Sequence, residues 1–113
     1  MILIIGGFAA GKREYARSLG YREEDFTREI EGEQPVLYGL QDLVSENPAD
    51  AMDWLPRLLQ KQAVICDEVG CGVTPLDREE RAWREQVGRA CCRIAAESEA
   101  VYRVYCGLGV RIK

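Results

Sequence analysis

The segment Gly6-Gly7-Phe8-Ala9-Ala10-Gly11-Lys12 has the clearest chemical capacity in this 113-residue chain. It meets the pattern G-x-x-x-x-G-K-[ST] at Gly6, Gly11 and Lys12, and departs from it at Arg13. Glycines at these positions permit positive φ angles and close backbone approach, so that successive N–H groups can ring a phosphate. The lysine ammonium then reaches the β- and γ-phosphate oxygens. The expected nucleotide-contacting residues are therefore Gly6, Gly7, Phe8, Ala9, Ala10, Gly11, Lys12 and Arg13. A glycine-rich structural turn carrying a surface lysine is the plainer alternative, but it does not account for the strand-loop-helix setting.

Arg13 stands where a Ser or Thr hydroxyl would ligate Mg²⁺, which a guanidinium does not do. A cation in the first turn of a helix also opposes the helix dipole, by about 0.3–1 kcal/mol at an exposed site. Either a bound anion offsets this and Arg13 supplies charge in the metal's place, or the side chain extends into solvent at small cost. Further along, Asp67-Glu68 ends an apolar run. Carboxylates there can hold Mg²⁺, directly or through water, or accept a proton from a substrate hydroxyl. Lys12, Asp67 and Glu68 are thus the candidate catalytic residues, and Asp67 the candidate Mg²⁺ ligand. No histidine is present, so imidazole bases, imidazole metal sites and histidine-linked intermediates are excluded.

These residues need a scaffold, and the pattern of the chain supplies one. Met1 to Ile5 is apolar and rich in β-branched residues, as expected of a parallel strand covered on both faces. Lys12 to Leu19 reads as a helix ending near Gly20. Tyr21 to Gln34 is polar and acidic and reads as an exposed excursion. Pro35 to Tyr38 fits a short strand, Gly39 to Ser45 a helical turn, and Asp50 to Gln60 a helix despite Pro56. Ala63 to Cys66 is a clear strand, and the loop Gly70–Pro75 leads to a long helix. Asp77 is its expected N-cap, with Glu80 at capping-box spacing, and Trp83, Val87, Ala90 (or Cys91) and Ile94 mark its buried stripe. Ala100 to Cys106 is a further strand, and Gly107-Leu108-Gly109 turns the chain into a final one, Val110 to Ile112. The alternation of strands and helices predicts an α/β fold: a three-layer, P-loop NTPase-like, mainly parallel sheet flanked by helices, with a short C-terminal antiparallel strand. Its length fits a single nucleotide-binding domain over 1–113.

Composition narrows the partners. Apolar residues make up 47% and charged residues 30%, and the net charge is −4, which is the make-up of a globule. Basic residues interleave with acids, as in Arg78-Glu79-Glu80-Arg81, so no nucleic-acid surface is expected. No apolar run is long enough to span a membrane, and Ile2-Leu3-Ile4-Ile5 reads as a first strand instead of a signal peptide. The five cysteines, Cys66, Cys71, Cys91, Cys92 and Cys106, match no zinc or redox spacing. They read as small hydrophobes in a reducing cytoplasm. A sheet edge or the long helix could bring copies of the chain together as a homo-oligomer.

Several segments also resemble one family. The start Met1-Ile2-Leu3-Ile4-Ile5-Gly6-Gly7 with Gly11-Lys12 is similar to its phosphate loop. Asp67-Glu68-Val69-Gly70-Cys71-Gly72-Val73-Thr74-Pro75 resembles its NEVG-x-G-[IV]-x-P signature. Trp83-Arg84-Glu85-Gln86-Val87-Gly88-Arg89 and the ending Cys106-Gly107-Leu108-Gly109-Val110-Arg111-Ile112-Lys113 fit as well. The family is the adenosylcobinamide kinase / adenosylcobinamide-phosphate guanylyltransferase of cobalamin biosynthesis, and this chain is similar to a shortened, divergent member. The resemblance implies a P-loop fold, a GTP or ATP ligand, and attachment of a nucleotide to a corrinoid side-chain alcohol such as that of adenosylcobinamide. The family's guanylyl transfer passes through a guanylylated histidine, so only the kinase half carries over, or else a non-catalytic nucleotide- or corrinoid-binding role beside a complete pathway enzyme. The acid that members carry in the strand represented here by Val36-Leu37-Tyr38-Gly39 is missing, as is the Ser after Lys12.

Overall fold

The structure is a computed structural model and describes residues 1–46, 53–69 and 77–113. Strand β1 spans Ile2–Gly6 and helix α1 Lys12–Ser18. Strands β2 (Phe26–Thr27) and β3 (Val36–Leu37) follow, then helices α2 (Leu40–Glu46) and α3 (Leu55–Leu58). Strand β4 spans Ala63–Asp67, helix α4 Arg78–Glu97, strand β5 Ala100–Tyr105 and strand β6 Leu108–Arg111. The sheet order is β2-β3-β4-β1-β5-β6. All pairings are parallel except β5 with β6. This is the mainly parallel α/β sheet that the alternating elements predict.

The sheet is buried on both faces, which explains the apolar runs in β1 and β4. On one face Leu3, Val64, Cys66 and Val101 meet Leu40 and Val44 of α2, Leu58 of α3, and Val87 and Ile94 of α4. On the other, Ile4, Ile65 and Val104 meet Ala16 and Tyr15 of α1. Helices therefore cover both sides. The register sets Gly6 beside Asp67 on β4 and beside Val104 on β5. Strand β1, which runs into the loop Gly6–Lys12, is thus central, and its carboxyl end is level with the acidic pair.

Several element bounds differ from expectation for identifiable reasons. The excursion Tyr21–Gln34 contains a 3₁₀ turn at Glu23–Asp25 and the short edge strand β2. Two residues give no periodicity, and β2 exists through its pairing with β3. Among the described residues of the expected helix Asp50–Gln60, only Leu55–Leu58 is helical, with Pro56 in its first turn. Proline tolerates that position and not a helix interior; residues 50–52 lie outside the described residues. The final hairpin turns at Cys106-Gly107, with φ of 49° and 77°, so that Tyr105 pairs with Leu108. Positive φ at both central residues suits a two-residue hairpin loop. β6 consequently begins at Leu108, within the stretch expected to turn, and ends at Arg111. Asp77 does cap α4, accepting a hydrogen bond from the Glu79 amide at 2.9 Å. The expected loop Gly70–Pro75 lies outside the described residues, and with it most of the family-like signature and Cys71. No helix among the described residues is long and apolar enough to cross a membrane.

Candidate functional site

In open parallel sheets, ligands bind at the carboxyl ends of the strands. Here the ends of β1, β4 and β3 deliver Gly6, Asp67 and Tyr38 to one edge of the sheet. A cleft of ≈ 630 Å³ opens there, with Lys12, Arg13, Arg28, Tyr38, Asp42 and Asp67 among its lining.

The loop wraps one side of this cleft. Gly11 sits at φ 89°, the left-handed region, and caps α1. Its αC carries no side chain because the Gly107 amide nitrogen and αC of the β5–β6 turn would lie 2.8 Å from a β-carbon there. The Gly107 amide in turn donates to the Ala10 carbonyl at 2.8 Å. The loop is thereby fastened to the hairpin, while the Glu68 amide, donating to the Gly6 carbonyl at 2.9 Å, ties its start to β4. The amides of Phe8, Ala9, Gly11 and Lys12 have no backbone acceptor among the described residues. Open donors on a braced loop are what an anion requires. Phe8 stands 91% exposed at the loop tip.

Lys12 is only 8% exposed. A buried ammonium must be paired, and Lys12 is: its Nζ lies 2.7 Å from Asp67 Oδ1 and donates to the Gly7 carbonyl at 2.6 Å. The lysine therefore already holds an anionic oxygen at the mouth of the loop, as a phosphate oxygen would be held. Asp67 is oriented from behind, its amide donating to Gln41 Oε1 of α2 at 3.0 Å. The Gln41 carbonyl accepts from Trp83 Nε1 at 2.7 Å, so α2 and α4 together hold the backbone at the end of β4. Beneath it, hydrogen bonding to Cys91, and then burial, push the Cys66 thiol well above its ordinary range. Cys66 is a neutral core thiol.

The structure separates the acidic pair. Asp67 lines the cleft, whereas Glu68 faces β5 and forms an ion pair with Arg103, Oε1 to Nε and Nη2 to Oε2 both at 2.9 Å. Arg103 also lies over the Tyr105 ring, 5.2 Å from its centroid. Glu68 thus braces β4 against β5 across β1.

Tyr38, Arg28 and Asp42 also stand at the site, outside any motif. Arg13 reaches across the cleft from α1 to the Tyr38 ring at the end of β3, its guanidinium 5.2 Å from the centroid. Arg28, just after β2, approaches the same ring at 5.8 Å and is paired with Asp42 Oδ2 at 2.5 Å. Gly39, at φ 73°, leaves room for it: a β-carbon there would be 3.3 Å from Arg28 Nε. Tyr38 could have been found from its place at the carboxyl end of a strand beside Asp67. Arg28 and Asp42 could not, since their approach depends on a two-residue strand.

A divalent cation does not suit this donor set as it stands. The hydroxyl position is Arg13. The carboxylates lining the cleft, Asp67, Asp42 and Glu14, are each paired with a cation, Lys12, Arg28 and Arg17 in turn. No group of three His, Cys, Asp or Glu side chains among the described residues could hold a metal ion.

A second, open depression lies at the other end of the sheet between Ile30–Pro35 and Arg57–Gln62. Its lysine, Lys61, is spent on the backbone carbonyls of Gly32 and Gln34, and none of the expected site residues reaches it.

Comparison with known proteins agrees with the sequence resemblance. Residues 23–112 match the family described as cobinamide kinase / cobinamide phosphate guanyltransferase. The loop Gly6–Lys12 precedes that stretch and stands on its own geometry. Among curated proteins, the chain is 40% identical over 57 residues to the bifunctional adenosylcobalamin biosynthesis protein CobU of Salmonella typhimurium, covering 50% of this chain and 32% of that one. It is 38% identical over 57 residues to the Escherichia coli protein of the same name, with the same coverage. The match thus spans about a third of the length of these curated relatives. Since the family match extends over most of the chain, the protein belongs to the cobinamide kinase / cobinamide phosphate guanyltransferase family.

Proposed function

We propose that the chain binds GTP or ATP, with its phosphates in the loop Gly6–Lys12, and transfers a phosphoryl group to the side-chain alcohol of a cobinamide in the cytoplasm. The observation that carries this reading is the buried Lys12 ammonium, held 2.7 Å from the Asp67 carboxylate beside a loop with open amides. On nucleotide binding, Lys12 exchanges the carboxylate oxygen for a phosphate oxygen. Positioning and charge stabilisation are the main protein contributions in phosphoryl transfer, and these groups supply both.

The acceptor alcohol oxygen would attack the terminal phosphorus. The bond from that phosphorus to the bridging oxygen breaks, and the nucleoside diphosphate leaves. Asp67, released from Lys12, orients the alcohol and accepts its proton. Phe8 offers an apolar face at the cleft mouth to the base or the corrinoid. Glu68 serves this site by bracing it through Arg103. Guanylyl transfer through a histidine has no residue to carry it in this chain.

Incubating the protein with GTP or ATP and adenosylcobinamide, with and without MgCl₂, should yield cobinamide phosphate. Absence of product with either nucleotide ends the catalytic reading. A second reading is favoured by one observation, the guanidinium of Arg13 at the hydroxyl position. It makes the chain a nucleotide- or corrinoid-binding relative that partners a complete pathway enzyme, and it predicts nucleotide binding without turnover.

A further inference from the structure

We propose that the cleft binds the polyphosphate of its nucleotide without a divalent metal, with Arg13 providing the positive charge that a metal would provide. This rests on the nucleotide reading above and adds to it the ionic form of the ligand: the free nucleoside triphosphate instead of its magnesium complex.

Arg13 is the residue directly after the phosphate-loop lysine, where a hydroxyl would place a metal ion against the β- and γ-phosphates. In the fold its side chain is exposed but directed. It crosses the cleft and lies over the Tyr38 ring at 5.2 Å, so both ends of its reach are defined. Arg13 has no ion-pair partner among the described residues. Every other basic side chain lining the cleft has one: Lys12 has Asp67 and Arg28 has Asp42. The cleft is therefore lined by a guanidinium that has no ion pair among the described residues and lies over an aromatic face, next to a loop with four amides that have no backbone acceptor there. A guanidinium binds phosphate through paired, planar hydrogen bonds.

Arg28 assists by approaching the same ring at 5.8 Å. Its charge is balanced by Asp42, so its role is to hold Tyr38 in place under Arg13. Together these contacts convert a position that ordinarily serves a metal into one that repels it. A cation placed between Lys12 and Arg13 would face like charge, and Asp67, once released by the lysine, is taken up by the acceptor alcohol.

Isothermal titration of GTP into the purified chain tests this, once in excess EDTA and once in excess MgCl₂. The wild-type protein should bind GTP with a Kd that differs less than ~3-fold between the two conditions. Arg13→Ser, which completes the G-x-x-x-x-G-K-S pattern, should lose ~10-fold or more in EDTA, the scale of one charged hydrogen bond, and recover with MgCl₂. Arg13→Lys should remain indifferent to metal. A wild-type affinity that tightens more than ~10-fold with MgCl₂ would overturn the inference and leave the nucleotide reading standing. The same holds if Arg13→Ser binds as tightly as wild type in EDTA. Absence of GTP binding in both conditions by a folded wild-type protein overturns the nucleotide reading itself, and this inference with it.

Discussion

The loop Gly6–Lys12 keeps its shape because Gly11 has no side chain, and Gly11→Ala should expose this. The residue sits at φ 89° and ψ 29°. An alanine in the left-handed region costs about 1–2 kcal/mol. The added β-carbon would also lie 2.8 Å from both the amide nitrogen and the αC of Gly107. Neither atom can swing aside, for that amide is bonded to the Ala10 carbonyl at 2.8 Å. Relieving such overpacking costs a further ~1–3 kcal/mol. The combined loss is about 2–5 kcal/mol, a large part of the ~5–15 kcal/mol that holds a small domain folded. Urea denaturation followed by circular dichroism measures it directly. Gly7→Ala is the control, since a β-carbon at Gly7 would meet nothing within 4 Å, and it should stay within about 0.5 kcal/mol of wild type. If Gly11→Ala unfolds at the wild-type urea concentration, the loop is not braced by the hairpin and the argument from its rigidity fails.

Lys12→Met should weaken GTP binding ~10- to 150-fold, the equivalent of about 1.5–3 kcal/mol for a lost hydrogen bond to a charged group, and calorimetry reads this. Unchanged affinity would mean that the phosphates sit elsewhere. Burial, and secondarily Tyr102, raise the Tyr15 phenol above its ordinary 10.0. The folded state therefore binds the phenolic proton more tightly than the unfolded chain does. Its contribution to stability is complete below pH 10.0 and is lost as pH rises through the raised value. Tyr15→Phe should flatten the alkaline fall in urea midpoint, and an equally steep fall in the variant would contradict the assignment. Cys92 and Cys106 are exposed, whereas Cys66 is buried with its thiol held protonated. At about pH 8, iodoacetamide should label Cys92 and Cys106 in the native protein and leave Cys66 unmodified until urea is added, as peptide mass mapping would show.

Much of this architecture could be read from local pattern. β1 and β4 announce themselves as apolar runs because each is covered on both faces, and α4 as a long stripe capped by Asp77. The loop and Asp67 follow from fixed spacings, and the register brings Gly6 level with Asp67. What the pattern could not yield depends on tertiary pairing. β2 is two residues long and exists only against β3, so Arg28 and its approach to Tyr38 were invisible. The division of labour between Asp67 and Glu68 is likewise non-local, since Arg103 draws Glu68 away from 35 positions along the chain. The hairpin turn was displaced because Cys106 accepts a positive φ that its type seldom adopts.

The most direct measurement is a crystal structure of the protein with a non-hydrolysable GTP analogue at saturation. Lys12 Nζ should then have left Asp67 for a phosphate oxygen within hydrogen-bond distance, with the amides of Phe8, Ala9, Gly11 and Lys12 turned toward the same group. An analogue bound elsewhere, or a saturated crystal in which Lys12 still grips Asp67 and the loop holds no phosphate, would contradict the account.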